Sequence, residues 1–267
     1  MSESYDLICG AIAGAASRTF TAPLELKKLQ LQNPFIPNTT IRSVIQKEGF
    51  IYLWKGNFTN CIRIAPQTAI NFTVYNQSKK LQLFKNTNIN NSFSGTVSAF
   101  VATIATYPLD NARARLALQT NNNYYCSLLD VFKKVPFKNL YKGLNMTLTG
   151  FLPYNALSFT IYSNLRDNNY FNDMPFKQLL YGGFAGVGAV SITYPSDLIR
   201  RRLQLQGFDK TVPKYDGIID CFKKIIKQEG VFGLYRGLLA CYIKLFPTMG
   251  IQFATLEYLK SLKQERF

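Results

Sequence analysis

The sequence predicts an all-α membrane protein made of three copies of one helical unit, with six transmembrane helices. Three observations carry that reading. The order proline, acid, base recurs as Pro23-Leu-Glu25-Leu-Lys-Lys28, Pro108-Leu-Asp110-Asn-Ala-Arg113 and Pro195-Ser-Asp197-Leu-Ile-Arg200, with the prolines 85 and 87 residues apart. A period that long is a repeat of whole supersecondary units. A second signature follows each copy in phase, Trp54-Lys55-Gly56, Tyr141-Lys142-Gly143 and Tyr235-Arg236-Gly237, and each precedes an apolar segment with its own proline, Pro66, Pro153 or Pro247. Finally, residues 86–109, 143–165 and 178–196 contain no Asp, Glu, Lys or Arg. About 20 mainly apolar residues suffice to span a bilayer.

Taken in order, the units fall at 1–84, 85–172 and 173–267 of the 267 residues. The remaining spans lie at about 5–26, 57–78 and 238–256, each with one interior charge, Arg18, Arg63 and Lys244. Three bases and no acid inside six spans point to a watery interior cavity, because charges at membrane depth are costly unless they face one. Snorkelling of these bases to the headgroups is the alternative. Gly10 and Gly14, Gly182 and Gly186, and Gly95 with Ala99 have the four-residue spacing that lets membrane helices approach closely. The loops inside the units, 27–55, 113–142 and 200–236, hold 5, 6 and 9 Lys/Arg, whereas 79–92, 166–177 and 260–266 hold 3, 2 and 3. The positive-inside rule puts the first group on the interior side and both termini opposite. Apolar residues at three-to-four spacing in Ile41 to Lys47 and Ile218 to Lys227 predict short amphipathic helices in those loops.

Acid and base three residues apart share a helical face. The motif prolines kink their helices, so three helices can lean together and close one end of a central cavity with a ring of acid–base pairs. Composition narrows the rest. The net charge is +16 with no histidine, and five cysteines are scattered without metal-ligand spacing. The usual proton shuttle is missing, and neither a disulfide framework nor a zinc site is expected. There is no Gly-rich phosphate loop and no Ser/His/Asp set, so an enzyme, a cofactor and a metal are not expected. Basicity alone suggests nucleic acid, but that reading leaves six apolar spans unexplained, and no nucleic-acid partner is expected. The short acidic N-terminus, Met-Ser-Glu-Ser-Tyr-Asp, resembles neither a signal nor a transit peptide.

The threefold Pro-x-acid-x-x-base with aromatic-base-Gly endings resembles the mitochondrial carrier family, over about Tyr5 to Lys260. The resemblance implies six transmembrane helices in pseudo-threefold symmetry, three interior-side helices and alternating access to one central site in a monomer of the mitochondrial inner membrane; a peroxisomal membrane is a second possibility. It implies matrix-side pairs Glu25–Arg113, Asp110–Arg200 and Asp197–Lys28. The family braces these pairs with glutamine nine residues after the proline; Gln32 and Gln204 match, and Ala117 does not. The middle loop also departs from the Glu-Gly of Glu48-Gly49 and Glu229-Gly230, having Val135-Pro136-Phe137. The family's substrate contact points fall on Arg63-Ile64, Gly150-Phe151 and Lys244-Leu245.

Ser17-Arg18-Thr19, Asn71, Tyr154 and Thr193 resemble cavity positions of the adenine-nucleotide carriers. Gly-x-x-Pro-Tyr at 150–154 is similar to the ATP-Mg/phosphate, thiamine pyrophosphate and coenzyme A carriers. Two bases facing a small flat surface suit an anion joined to a planar group, since Arg and Lys hold phosphate by charge-assisted hydrogen bonds; a packing role for Gly150 and an interfacial one for Tyr154 are the alternatives. The expected activity is exchange of an anionic small molecule, adenine nucleotides first. Coenzyme A or thiamine pyrophosphate transport and a proton-leak channel are the other readings. Leu203-Gln204-Leu205 after the three arginines departs from the ADP/ATP carrier's methionines. On the outer side the family's aromatic-acid-x-x-base endings appear as Tyr75-Asn76-x-x-Lys79, Tyr162-Ser163-x-x-Arg166 and Leu256-Glu257-x-x-Lys260. Glu257 alone is acidic, so at most the pair Glu257–Lys79 can form there. The aromatic-base-Gly triplets are expected to hold anionic lipid, cardiolipin in particular, at helix N-termini.

Overall fold

The computed structural model describes residues 2–35, 40–82, 87–119, 124–168, 170, 174, 177–207 and 212–264. Six long helices dominate: α1 (Ser2–Gln32), α3 (Asn57–Lys80), α4 (Thr87–Leu118), α7 (Leu144–Asp167), α8 (Lys177–Leu205) and α10 (Leu238–Gln264). Each contains one of the six prolines. Short helices α2 (Ile41–Glu48), α5 (Leu128–Lys134) and α9 (Ile218–Glu229) sit between the long helices of each unit, and single turns at Phe50–Trp54, α6 (Phe137–Leu140) and Val231–Tyr235 lead into α3, α7 and α10. The helix α5 is the third interior-side helix that the resemblance implies and the apolar spacing did not show; it is two turns long, with Ser127 capping the Asp130 amide.

Packing is closest between units, along α3–α4, α7–α8 and α10–α1, and the last of these closes the ring. The tightest approaches on α8 are at Gly183 and Gly188, where a Cβ would fall 2.6 Å from the Phe246 ring and 2.7 Å from the Ile161 side chain. Gly182 and Gly186 make only ordinary contact with Met249 and Leu245, and nothing lies within 4 Å of where a Cβ would stand on Gly10 or Gly95. On α8 the expected pair does face α10, at ordinary contact distance, and the closest approaches fall on neighbouring glycines.

Apolar side chains behave differently at the two levels of the bundle. Phe20 and Phe159 are each 74 % exposed, and Leu239 71 %, on the outside of the long helices. Polar residues such as Ser17, Thr21, Asn60, Ser98 and Thr106 are buried inside. That inversion is what a lipid-facing surface requires. Only at the interior-side end do three soluble-like hydrophobic clusters form, seating α2 on Leu26, Leu29 and Leu118, α5 on Ala112 and Leu116, and α9 on Leu198 and Leu203. Among the described residues, Val231–Leu259 alone is long and apolar enough throughout to cross a membrane on composition. The other spans carry Asn, Thr and Tyr.

The aromatic-base-Gly triplets are joints between units. Each glycine has a positive φ, 82°, 87° and 83° for Gly56, Gly143 and Gly237, which glycine adopts at no steric cost. Each presses on the next unit's first helix. A Cβ would stand 3.1 Å from the Arg113 carbonyl at Gly56, 2.9 Å from the Arg200 carbonyl at Gly143, and 3.3 Å from Leu31 and Gln32 at Gly237. In the second and third units Tyr107 and Tyr194 stack on Tyr141 and Tyr235. Their hydroxyls donate to the Lys142 and Arg236 carbonyls at 3.0 and 2.7 Å. In the first unit Ala22 occupies that position, and Trp54 Nε1 instead donates to the Thr19 carbonyl at 2.8 Å. That carbonyl lies four residues before Pro23, which has no N–H to offer it.

Candidate functional site

Where α1, α4 and α8 converge, three acids meet bases from neighbouring helices, Glu25 and Asp110 buried and Asp197 half-buried. Lys28 Nζ lies 2.7 Å from Asp197 Oδ2 and Arg113 3.3 Å from Glu25, while Arg200 forms a short hydrogen bond to Asp110. All three contacts join different units, which closes this end of the bundle. Two glutamines attach to the ring: Gln204 donates to Asp110 at 3.1 Å, and Gln32 donates to Asp197 at 3.3 Å and to the Tyr194 hydroxyl at 3.1 Å. Arg201 is a member that sequence reasoning missed. It reaches Asp110 at 3.3 Å, donates to the Gln204 side-chain oxygen Oε1 at 2.9 Å, and is buried. The run Arg200-Arg201-Arg202 advertised it, and at four residues from Asp197 it shares that acid's face as Arg200 does; the threefold motif, however, picks out only the base three residues after the acid.

A layer below, basic side chains fasten helix ends. Arg202 donates to the Gln32 carbonyl at 3.2 Å and pairs with Glu229, which also holds Arg236 at 3.1 Å. Arg115 donates to the Gln204 and Gln206 carbonyls at 2.9 and 3.2 Å. Both supply donors to orphan carbonyls at a helix C-terminus. At the remaining joint the Tyr52 hydroxyl donates to the Gln119 carbonyl, and burial pushes that hydroxyl up to about 12, so it stays a donor.

Two cavities open above the ring. The first, about 230 Å³, is polar and lies among Arg18, Arg63, Lys244, Thr21 and Asn60 with the ring's bases beneath. Its lining carries seven bases against two acids, Glu25 and Asp110. Arg18 Nη1 and Arg63 Nε are buried without a hydrogen-bond partner. Arg63 is 3.9 Å from Asp110, and Lys244 forms a short contact to Glu25. The second cavity, about 260 Å³, is mostly apolar: Gly150, Phe151, Tyr154, Met146, Val190 and Thr193 line it. Lys28 and Arg200 border both cavities. A Cβ on Gly150 would stand 3.0 Å from the Ser196 hydroxyl, so only glycine leaves this wall open. Phe151 is held edge-on against Phe100 at 5.7 Å.

Of the eight substrate-side residues named from sequence, Arg18, Arg63 and Lys244 meet in the polar cavity and Gly150, Phe151, Tyr154 and Thr193 in the apolar one. Asn71 lies in neither and is exposed, because it sits above both, further along α3. Met146, Val190, Ser196 and Cys241 join the lining without a sequence signal.

At the other end of the bundle the charges do not meet. Lys79, Arg166 and Glu257 are exposed. Arg166 pairs with its neighbour Asp167 at 3.0 Å, and Lys79 lies 5.9 Å from the Tyr75 ring. Among the described residues no ion pair joins Glu257 to Lys79; the Lys260 side chain lies outside the described residues. Among the described residues, then, ion pairs between units gather at the ring and none bridges units at this end.

The sequence model of the mitochondrial carrier protein family matches three times, over residues 2–86, 84–173 and 171–267. Similar proteins include a mitochondrial coenzyme A transporter of Xenopus tropicalis, 35 % identical over 94 % of this chain and 83 % of its own length. A mitochondrial adenine nucleotide transporter of Arabidopsis thaliana is 32 % identical over 96 % of this chain and 86 % of its own. A mitochondrial adenyl nucleotide antiporter of Oryctolagus cuniculus is 34 % identical over 95 % of this chain and 57 % of its own.

Proposed function

This chain belongs to the mitochondrial carrier family, a family of transporters, and from that premise we propose that it exchanges adenine nucleotides across an organellar inner membrane by alternating access. The observation that carries this reading is the pairing of cavities. A polar pocket with seven bases, including unpartnered Arg18 and Arg63 donors, adjoins an apolar pocket opened by Gly150. Phosphates fit the first and a planar base the second, against Phe151 and Tyr154.

The ring of Glu25–Arg113, Asp110–Arg200 and Asp197–Lys28, braced by Gln32 and Gln204, acts as the matrix gate. Lys79, Arg166, Glu257 and Lys260 belong to the cytoplasmic side, which rests open. Bound substrate offsets the cost of parting the ring, and a two-state element of this kind shifts when a ligand binds one state better. The protein works as a monomer. The triplets Trp54-Lys55-Gly56, Tyr141-Lys142-Gly143 and Tyr235-Arg236-Gly237 start α3, α7 and α10, whose N-termini favour lipid phosphate. A groove of about 1040 Å³ beside Lys142, Lys138 and Lys223 suits an anionic headgroup such as that of cardiolipin.

Coenzyme A transport is the second reading. It is favoured by the relatives named for that activity and by the same phosphate-plus-base chemistry. Proteoliposomes loaded with ADP, ATP, AMP, coenzyme A or thiamine pyrophosphate decide between them. Saturable exchange of labelled ADP against internal adenine nucleotide is expected. Exchange of coenzyme A alone would replace the first reading with the second, and unsaturable leak would refute both.

A further inference from the structure

The three acids of the ring do not have equal company. Asp110 faces Arg200, then Arg201 at 3.3 Å and the Gln204 amide at 3.1 Å. Asp197 has Lys28 at 2.7 Å and the Gln32 amide at 3.3 Å. Glu25 sits in the corner where Ala117 takes the place of a third glutamine. It faces Arg113 at 3.3 Å and, instead of an amide, the ammonium of Lys244. Ala117 lies against this corner, with a cavity of about 10 Å³ among Glu25, Arg113, Gly56 and itself.

We propose that Lys244 is the third brace of the ring, so that the corner without a glutamine is fastened by the same ammonium that faces the polar cavity. A buried carboxylate needs its lone pairs satisfied, and Arg113 alone does not supply what Asp110 and Asp197 receive. Lys244 reaches from α10 to α1 to do so, and thereby ties the third unit to the seam between the first and second. Arg63 differs: it is 3.9 Å from an acid that already holds three other donors. An anion in the polar cavity competes with Glu25 for Lys244, and the Glu25–Arg113 corner is then the first to loosen. This consequence rests on reading the polar cavity as the substrate site; the bracing role does not.

The test is thermal unfolding of the full chain in detergent without any substrate. Lys244→Met is expected to lower Tm by about 2–4 °C, the shift that loss of one modest interaction produces in a domain of this size; Arg63→Met is expected to lower it less. A residue serving only as a substrate contact gives the opposite sign, since its removal relieves repulsion among seven like charges. In a Glu25→Gln background, Lys244→Met should cause no further drop, because a double-mutant cycle reads only the shared interaction. Ala117→Gln added to Lys244→Met should restore Tm. If that variant does not fold, the Glu25–Lys244 cycle decides by itself. Lys244→Met at or above wild-type Tm, or an equal drop with and without the Glu25 carboxylate, overturns the proposal. No nucleotide is present, so a failed uptake panel and a failed brace are separate results.

Discussion

The two ends of the bundle carry the same kinds of residue and use them differently. At the end closed by the ring Glu25, Asp110 and Asp197 each have two or more donors within reach, and Glu25 and Asp110 are buried. At the other end Lys79, Arg166 and Glu257 are exposed, and among the described residues the ion pair made there is the local one between Arg166 and Asp167. Removing one partner of a buried pair costs about 3–5 kcal/mol because the other charge is stranded, while exposed pairs contribute about 0–1 kcal/mol. Burial and the count of partners, more than the presence of charge, separate a latch from a solvated fringe.

The largest expected effect comes from breaking the latch at its most connected point. Asp110→Asn strands Arg200 and Arg201 and should cost the closed matrix end about 3–5 kcal/mol. With a cysteine at Tyr154 as reporter, the unliganded variant should label from the matrix side with a membrane-impermeant reagent. Labelling that stays confined to the outer side would mean that the ring is not the barrier. Next, Arg63→Ala or Lys244→Ala removes a charged hydrogen bond to phosphate, about 1.5–3 kcal/mol, or roughly tenfold to a hundredfold in affinity. Exchange in liposomes should fall accordingly with the extracted protein still folded; ADP uptake at the wild-type rate would dismiss the site.

A smaller effect should come from making the fringe resemble the latch. Asn76→Asp with Ser163→Asp adds two acids near Lys79 and Arg166, each pair contributing up to about 1 kcal/mol. The same reporter should shift towards matrix-side labelling, and an unchanged pattern would show that the outer end cannot be latched by charge alone. The smallest effect concerns lipid. Added cardiolipin should raise the melting temperature in detergent by a few degrees, about what 1 kcal/mol yields at this size, and Lys142→Ala should reduce that gain. A melting curve indifferent to cardiolipin would remove the lipid sites.

Much of this architecture was readable before any coordinates. The six spans end within a few residues of α1, α3, α4, α7, α8 and α10 apart from charged extensions of α1, α4 and α8 at the ring end and of α10 at the other end, because absence of charge over a membrane thickness is a one-dimensional property. The amphipathic helices α2 and α9 were equally plain. The middle unit was not: α5 is only 7 residues long and is followed by Pro136, so its period is too brief to register. The polar and apolar cavities could be assembled only by bringing α1, α3 and α10 to one side and α7 and α8 to another. Arg201 was hidden for a similar reason. Its reach to Asp110 depends on the rotation of α8 against α4, which no spacing along one helix encodes.

By itself the sequence determined that this chain is three helical units, which stretches of them are free of charge, and which acid and base each unit offers, since all of these are periodic or compositional features of a single strand of residues. The tertiary structure decided who meets whom. It joined Glu25 to both Arg113 and Lys244, left Asn71 outside both cavities, and placed Gly56, Gly143 and Gly237 against the next unit rather than on a free surface. The physical reason is that an ion pair or a close glycine contact depends on distances of a few ångströms between helices. Those distances are set by packing around a closed ring, where every unit's position is fixed by both of its neighbours.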